Sequence, residues 1–135
     1  MLSTSITERA ELRVCVEQFG GVALFRQGRF GEALQPLQRA VQIDLLDGVS
    51  HNSLAAVYQA LQRFDEAIQH CQMALQINPQ DASAHGNWGI CLVQQNQLQE
   101  AIGHFRRAVE IDPNDTIAHG NLWAAEAKLR QKFLD

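Results

Sequence analysis

The sequence predicts an all-α fold, a solenoid of three stacked helix pairs followed by one C-terminal helix. Three observations carry that expectation. The chain matches itself at an offset of 34 residues: Ala33, Ala67 and Ala101 coincide, as do Ala40, Ala74 and Ala108, Ile43, Ile77 and Ile111, Glu32, Glu66 and Glu100, and Asp47, Asp81 and Asp115. The later half of each unit places apolar residues at i, i+3, i+4, i+7, i+10 and i+11, as in Phe64, Ala67, Ile68, Cys71, Ala74 and Leu75, which is a helix buried along one side. The earlier half carries a second helical pattern, Leu54, Ala55, Val57, Tyr58 and Leu61, so each unit is a helix pair.

Taken in order, Ser5-Ile-Thr-Glu8 has the form of a capping box, and Ile6, Ala10 and Val14 recur at helical spacing, so the first helix begins near residue 6. Residues 1–13 read as a helical extension, 14–47, 48–81 and 82–115 as the three units, and 116–135 as a capping helix, all in one domain. Gly28 and Asn96 tolerate the left-handed backbone that ends a helix, with Gln62 a weaker fit in the same register. Pro79 and Pro113 close the second helix of their units, and Asp81 and Asp115 are placed to cap the next one. Gly21, Ala55 and Gly89, with the two alanine columns, let paired helices approach closely.

Unit one departs from this pattern. It has Leu45 in place of proline, Pro36 inside its second helix, and adjacent Gly20 and Gly21 inside its first. An interior proline costs about 3 kcal/mol and an interior glycine about 1 relative to alanine, which predicts a bend or fray there. In the last helix, Ala118, Leu122, Ala125, Leu129 and Phe133 form the stripe expected against unit three. Trp123 stands where the other copies have Gly or Ala, and Glu126 stands at the position of Tyr58. Both suit a face with no second helix, and Trp123 is the candidate residue for self-association.

The composition narrows the function. The 135 residues, 46% hydrophobic and 19% charged, make one ordinary folded domain. The net charge of −4 is evenly spread and leaves no basic block to follow nucleic acid or an anionic membrane. The N-terminal stretch lacks the basic and apolar regions of a signal peptide, and no apolar run is long enough to span a bilayer, so a cytoplasmic location is expected. Cys15, Cys71 and Cys91 are odd in number with no CxxC spacing and read as small buried hydrophobes. His51, His85 and His119 are 34 apart, as are His70 and His104, so their alignment follows from the repeat. Equivalent histidines of successive units are too far apart to share an ion, and no metal is expected. GxSxG, P-loop and HExxH motifs are missing, Asp65-Glu66 reads as a solvated helix start, and neither catalysis nor a cofactor is implied.

The chain resembles the tetratricopeptide repeat family. The family's 34-residue pattern, W-x2-L-G-x2-Y followed by A-x3-F and P, is met by Leu54, Ala55, Tyr58, Ala67 and Pro79, and by Trp88, Gly89, Leu92, Ala101, Phe105 and Pro113. The resemblance covers residues 14–130 and implies a right-handed α-solenoid whose first helices line a concave groove for an extended peptide or a helix of a protein partner. The family's groove positions fall on Gln18, Phe19, Val22, Phe25 and Arg26 in unit one and on Asn52, Ser53, Ala56 and Gln59 in unit two. They fall on Asn87, Ile90, Val93 and Gln94 in unit three and on Asn121, Ala124 and Lys128 in the last helix.

The subgroup that grips chaperone C-termini carries Lys, Arg and Asn in the groove. Here Asn52, Ser53, Ser83 and Gly86 stand where inner basic residues are expected. His85-Gly-Asn-Trp88 and His119-Gly-Asn-Leu122 are similar instead to two rungs of the asparagine ladder in O-linked N-acetylglucosamine transferase repeats, since an amide offers both donor and acceptor to a peptide backbone. The expected function is therefore a non-catalytic protein-interaction scaffold or adaptor. The alternatives are a self-associating assembly protein, with a homodimer as its form, and a regulatory fragment of a larger repeat-containing enzyme.

Overall fold

The computed structural model describes residues 5–134. Among them are seven α-helices and no strand: α1 (Ile6–Arg26), α2 (Phe30–Ile43), α3 (Gly48–Ala60), α4 (Phe64–Ile77), α5 (Ala82–Gln94), α6 (Leu98–Ile111) and α7 (Thr116–Leu134). Each helix packs on its chain neighbours, and the odd-numbered helices also touch one another in succession, so the pairs stack into an α-solenoid with α7 at its C-terminal end.

Local chemistry sets the boundaries. Ser5 and Glu8 form a reciprocal capping box at the start of α1. Asp47 and Asp81 accept from the Ser50 and Ala84 N–H groups, and Asp115 from Ile117 and Ala118, satisfying donors that have no partner inside the helix. The turn inside each pair is the same in all three units. Gly28, Gln62 and Asn96 adopt φ of 77°, 62° and 60°, and the next residue donates back to Leu24, Tyr58 and Leu92 at 2.8–2.9 Å. Between pairs, the side chains of Asp44, Asn78 and Asp112 accept from the N–H two residues on, at 3.0–3.3 Å. That turn explains why Leu45 can replace proline in unit one.

Packing follows the small residues. Ala33, Ala67, Ala101, Ala40 and Ala74 are fully buried, and Ala108 nearly so. A Cβ on Gly89 would sit 2.5 Å from Phe105 Cε1, and one on Gly21 would collide with Leu37 Cγ. Leu37 and Phe105 thus lie directly over the facing helix backbone, and fully burying a side chain of this size contributes about 1.5–3 kcal/mol. Two apolar clusters result, one around Leu37, Leu54 and Val57, the other around Leu92, Ile102 and Phe105.

Three expectations are corrected. α1 runs unbroken through Gly20 and Gly21, and α2 through Pro36, with no frayed segment in unit one. Gly21 is required by the approach of Leu37, and the carbonyl that Pro36 deprives of a donor belongs to exposed Glu32, where water can serve it. Cys15 is exposed, unlike Cys71 and Cys91, because it holds a register position that faces outward in every unit: its equivalents Val49, Ser83 and Ile117 are exposed too. Phe133 is 77% exposed although it stands near Gln97 and Leu98 of unit three, with which it lines a shallow cavity; the buried stripe against that unit ends at Leu129.

Candidate functional site

The odd-numbered helices form a continuous face, and the furrows between them are its concavities. Between α1 and α3 lies a cleft of about 390 Å³, walled by Val22, Phe25, Val49 and Ala56, with Arg26, Asn52 and Ser53 at its sides. Between α5 and α7 lies a second cleft of the same volume, walled by Ile90, Val93, Phe105 and Ala124, with Asn121 and Lys128 at its sides. A smaller recess of about 220 Å³ brings Ser83, Gly86 and Asn87 together with Ile90 and Asn121. Most of the groove positions expected from sequence line one of these three concavities. Phe19 is 72% exposed, Gln18 and Gln59 are half-buried and Gln94 exposed, and none of the four lines a cleft.

The amide side chains on this face divide into two kinds. Gln18 Nε2 donates to both carboxylate oxygens of Asp47 at 3.1 and 3.3 Å, and Asn52 Nδ2 donates to Asp81 at 2.6 Å, so each braces the Asp that caps the next unit. Asn52 Oδ1 is buried and accepts from nothing. Gly86 and Gly120 hold the equivalent positions further along. Asn87 and Asn121 are half-buried, and their amides bond to no other described group.

Charge on the face is sparse. Arg29, Arg39, Arg63, Arg106 and Arg107 each pair with a glutamate. Arg26 and Lys128 have no acidic partner among the described residues. They hold equivalent positions, at the end of unit one's first helix and three units on in α7.

The family model described as tetratricopeptide repeat matches residues 47–114, and a second tetratricopeptide repeat model matches residues 20–43. The chain belongs to the tetratricopeptide repeat family. No curated protein sequence matches it significantly. Among solved structures, it is similar to the first tetratricopeptide domain of human RPAP3, at a TM-score of 0.85 and 24% identity over 90% of this chain and 96% of that one. The first such domain of Spaghetti bound to the HSP90 peptide SRMEEVD gives 0.84 and 24%, over 88% and 97%. A mutant O-GlcNAc transferase of Thermobaculum terrenum gives 0.84 and 22%, over 92% of this chain but 23% of that longer one.

Within this tetratricopeptide stack the histidines form pairs that the 34-residue register does not reveal. His51 and His70 place their Nδ1 atoms 3.0 Å apart, and His85 and His104 do so at 3.1 Å, each pair inside one unit. His70 stacks on Tyr58 and His104 on Trp88. The spacing of 19 residues was the available signal, once α3 is paired with α4 and α5 with α6. Among the described residues no group of three or more His, Cys, Asp or Glu side chains could hold a metal ion. Burial pushes the Cys71 thiol up to about 12 and that of Cys91 to about 11, which leaves both poorly nucleophilic. Trp123 is 68% exposed on α7, and no helix among the described residues is long and apolar enough to cross a membrane.

Proposed function

We propose that this chain is a non-catalytic interaction module that holds an extended segment of a partner protein along the face of its first helices, as an adaptor or assembly factor. One observation carries the reading: Asn87 and Asn121, 34 residues apart on α5 and α7, keep their amides uncommitted beside the apolar surfaces of Ile90 and Val93. An amide can donate and accept toward one peptide unit, and a half-buried amide with no partner gains most from doing so. The peptide-bound state of the similar Spaghetti domain supports the same use of the fold.

The inner groove differs from a basic clamp. Val22, Ser53, Ser83 and Asn87 line it, and Arg26 and Lys128 are the unpaired cations, one at each end. Binding should therefore depend mainly on backbone hydrogen bonds and apolar contact, with a weak dependence on salt.

The test is calorimetric titration of a partner captured from native lysate against wild type and the Asn87→Ala, Asn121→Ala double variant. Each lost hydrogen bond is worth about 0.5–1.5 kcal/mol, so affinity should fall roughly ten- to a hundredfold. Circular dichroism provides the folding control. Unchanged affinity in a well-folded double variant moves the site off this face and favours self-association.

A further inference from the structure

The two clefts of about 390 Å³ on this face repeat one another at four lining positions. Val22, Phe25, Ser53 and Ala56 in the first correspond, residue for residue at an offset of 68, to Ile90, Val93, Asn121 and Ala124 in the second. Each has an apolar floor from the end of one first helix and a wall from the next, and each has an unpaired cation beside it, Arg26 on the floor helix of the first and Lys128 on the wall helix of the second. The middle of the face lacks this combination. Ala60 and Gln94 occupy the equivalent positions there.

Resting on the groove reading above, we propose that the partner segment is an extended acidic peptide carrying two aliphatic side chains, one for each cleft, each beside a carboxylate. The charge of the two rims sets the sign: Arg26 and Lys128 complement an anion, and neither has an anionic partner among the described residues. The floors select aliphatic side chains over polar ones.

Geometry sets the spacing. Packed helices lie about 8–10 Å apart, so clefts two units apart are separated by roughly 16–20 Å, or about five to six residues of extended chain at 3.3 Å each. Side chains that point the same way in an extended chain are an even number of residues apart, which selects six.

The probe is the acetylated, amidated peptide Glu-Leu-Ser-Thr-Ser-Thr-Ser-Leu-Glu, whose ends read alike in either direction. It is titrated by calorimetry and by amide nuclear magnetic resonance of the full chain. Amide shifts at Val22, Phe25 and Ala56 should saturate together with those at Ile90, Val93 and Ala124. Replacing either Leu by Ser should weaken binding about tenfold or more, because loss of one site removes the linkage between the two. Replacing the two Glu by Gln should weaken wild type severalfold but leave an Arg26→Gln, Lys128→Gln variant little changed.

Shifts in one cleft only overturn the proposal. So does shift in the groove that is indifferent to Leu and Glu; that result leaves the groove reading intact, since the Asn87 and Asn121 variant tests it with a natural partner. Absence of any groove shift at millimolar peptide also overturns the two-cleft motif.

Discussion

His51 and His70 share a single proton between Nδ1 atoms 3.0 Å apart. His51 Nε2 lies 3.1 Å from the Leu45 carbonyl and must donate to it, which leaves His51 Nδ1 as the acceptor and His70 Nδ1 as the donor. His85 and His104 repeat the pair, and His119 Nε2 donates to the Pro113 carbonyl as His51 does to Leu45. The histidines thus tie the loop between units to the helix pair that follows, and each Nδ1–Nδ1 contact requires one of its two nitrogens to carry no proton.

Acid should therefore loosen the stack. Burial, and then His51, holds His70 down to about 4, with Glu66 opposing; His85 is lowered by burial and Arg107 with Asp81 opposing, and His104 by burial and His85. In the unfolded chain these groups take protons near 6.5. The stabilisation is thus fully present above pH 6.5 and falls as the pH drops toward 4, where the unfolded state binds more protons than the folded one. Urea midpoints measured at pH 7.5, 6 and 5 should decline steadily. His70→Phe keeps a ring against Tyr58 but cannot be protonated, so its midpoint should decline less steeply; an equal slope would assign the acid sensitivity to other groups.

What the sequence made legible was whatever recurs in one register. The alanine columns, the Asp47 and Asp81 caps and the small residues Gly21, Ala55 and Gly89 at the close approaches repeat at 34, and each answers to local geometry that recurs from unit to unit. The histidine pairs were hidden because the same comparison aligns His51 with His85, when its partner is His70. The same holds for Asn52: its type suits a groove, but its Nδ2 is engaged by Asp81, a contact set by how two consecutive units dock. Cys15 was misread because residue type was weighed over register, which aligns it with exposed Val49, Ser83 and Ile117, and Phe133 because a periodic pattern does not show where the buried stripe of a helix ends.

Gln62 holds φ of 62° where unit one has glycine. A left-handed backbone costs a non-glycine residue about 1–2 kcal/mol, and glycine's greater freedom in the unfolded chain returns about 0.5–1 of that. Gln62→Gly should accordingly stabilise the protein by about 0.5–1 kcal/mol and raise its Tm by a few degrees. Gly28→Ala should lower it by a similar amount. A fall in Tm for Gln62→Gly would show that the side chain contributes more than the strain removes.

Trp123 stands where Ala55 and Gly89 are buried beneath a second helix, yet its own indole is 68% exposed. A second copy related by a two-fold axis can cover it, because such an interface places the same patch on both chains. Sedimentation should detect a dimer that Trp123→Ala weakens at least tenfold. A wild-type chain that stays monomeric at high concentration excludes this surface as a self-association site.

Gly20 and Gly21 are neighbours in α1 with opposite surroundings. A Cβ on Gly20 meets nothing within 4 Å, whereas one on Gly21 strikes Leu37, which is fully buried and has nowhere to move. Alanine gains about 1 kcal/mol over glycine in a helix interior, so Gly20→Ala should be stabilising by about that amount. At Gly21 the same gain is opposed by an overpacking cost of about 1–3 kcal/mol, so Gly21→Ala should be destabilising by about 1 kcal/mol, and the two variants should straddle wild type in urea unfolding. Unit three also has interior glycines, Gly86, Gly89 and Gly103, but unit one adds Pro36 to its adjacent pair, so amide exchange among the helices should be fastest there. Gly20→Ala should slow that exchange in α1 while leaving α5 and α6 unchanged, and uniform protection across the three units would show that docking between pairs, more than helix propensity, governs local opening.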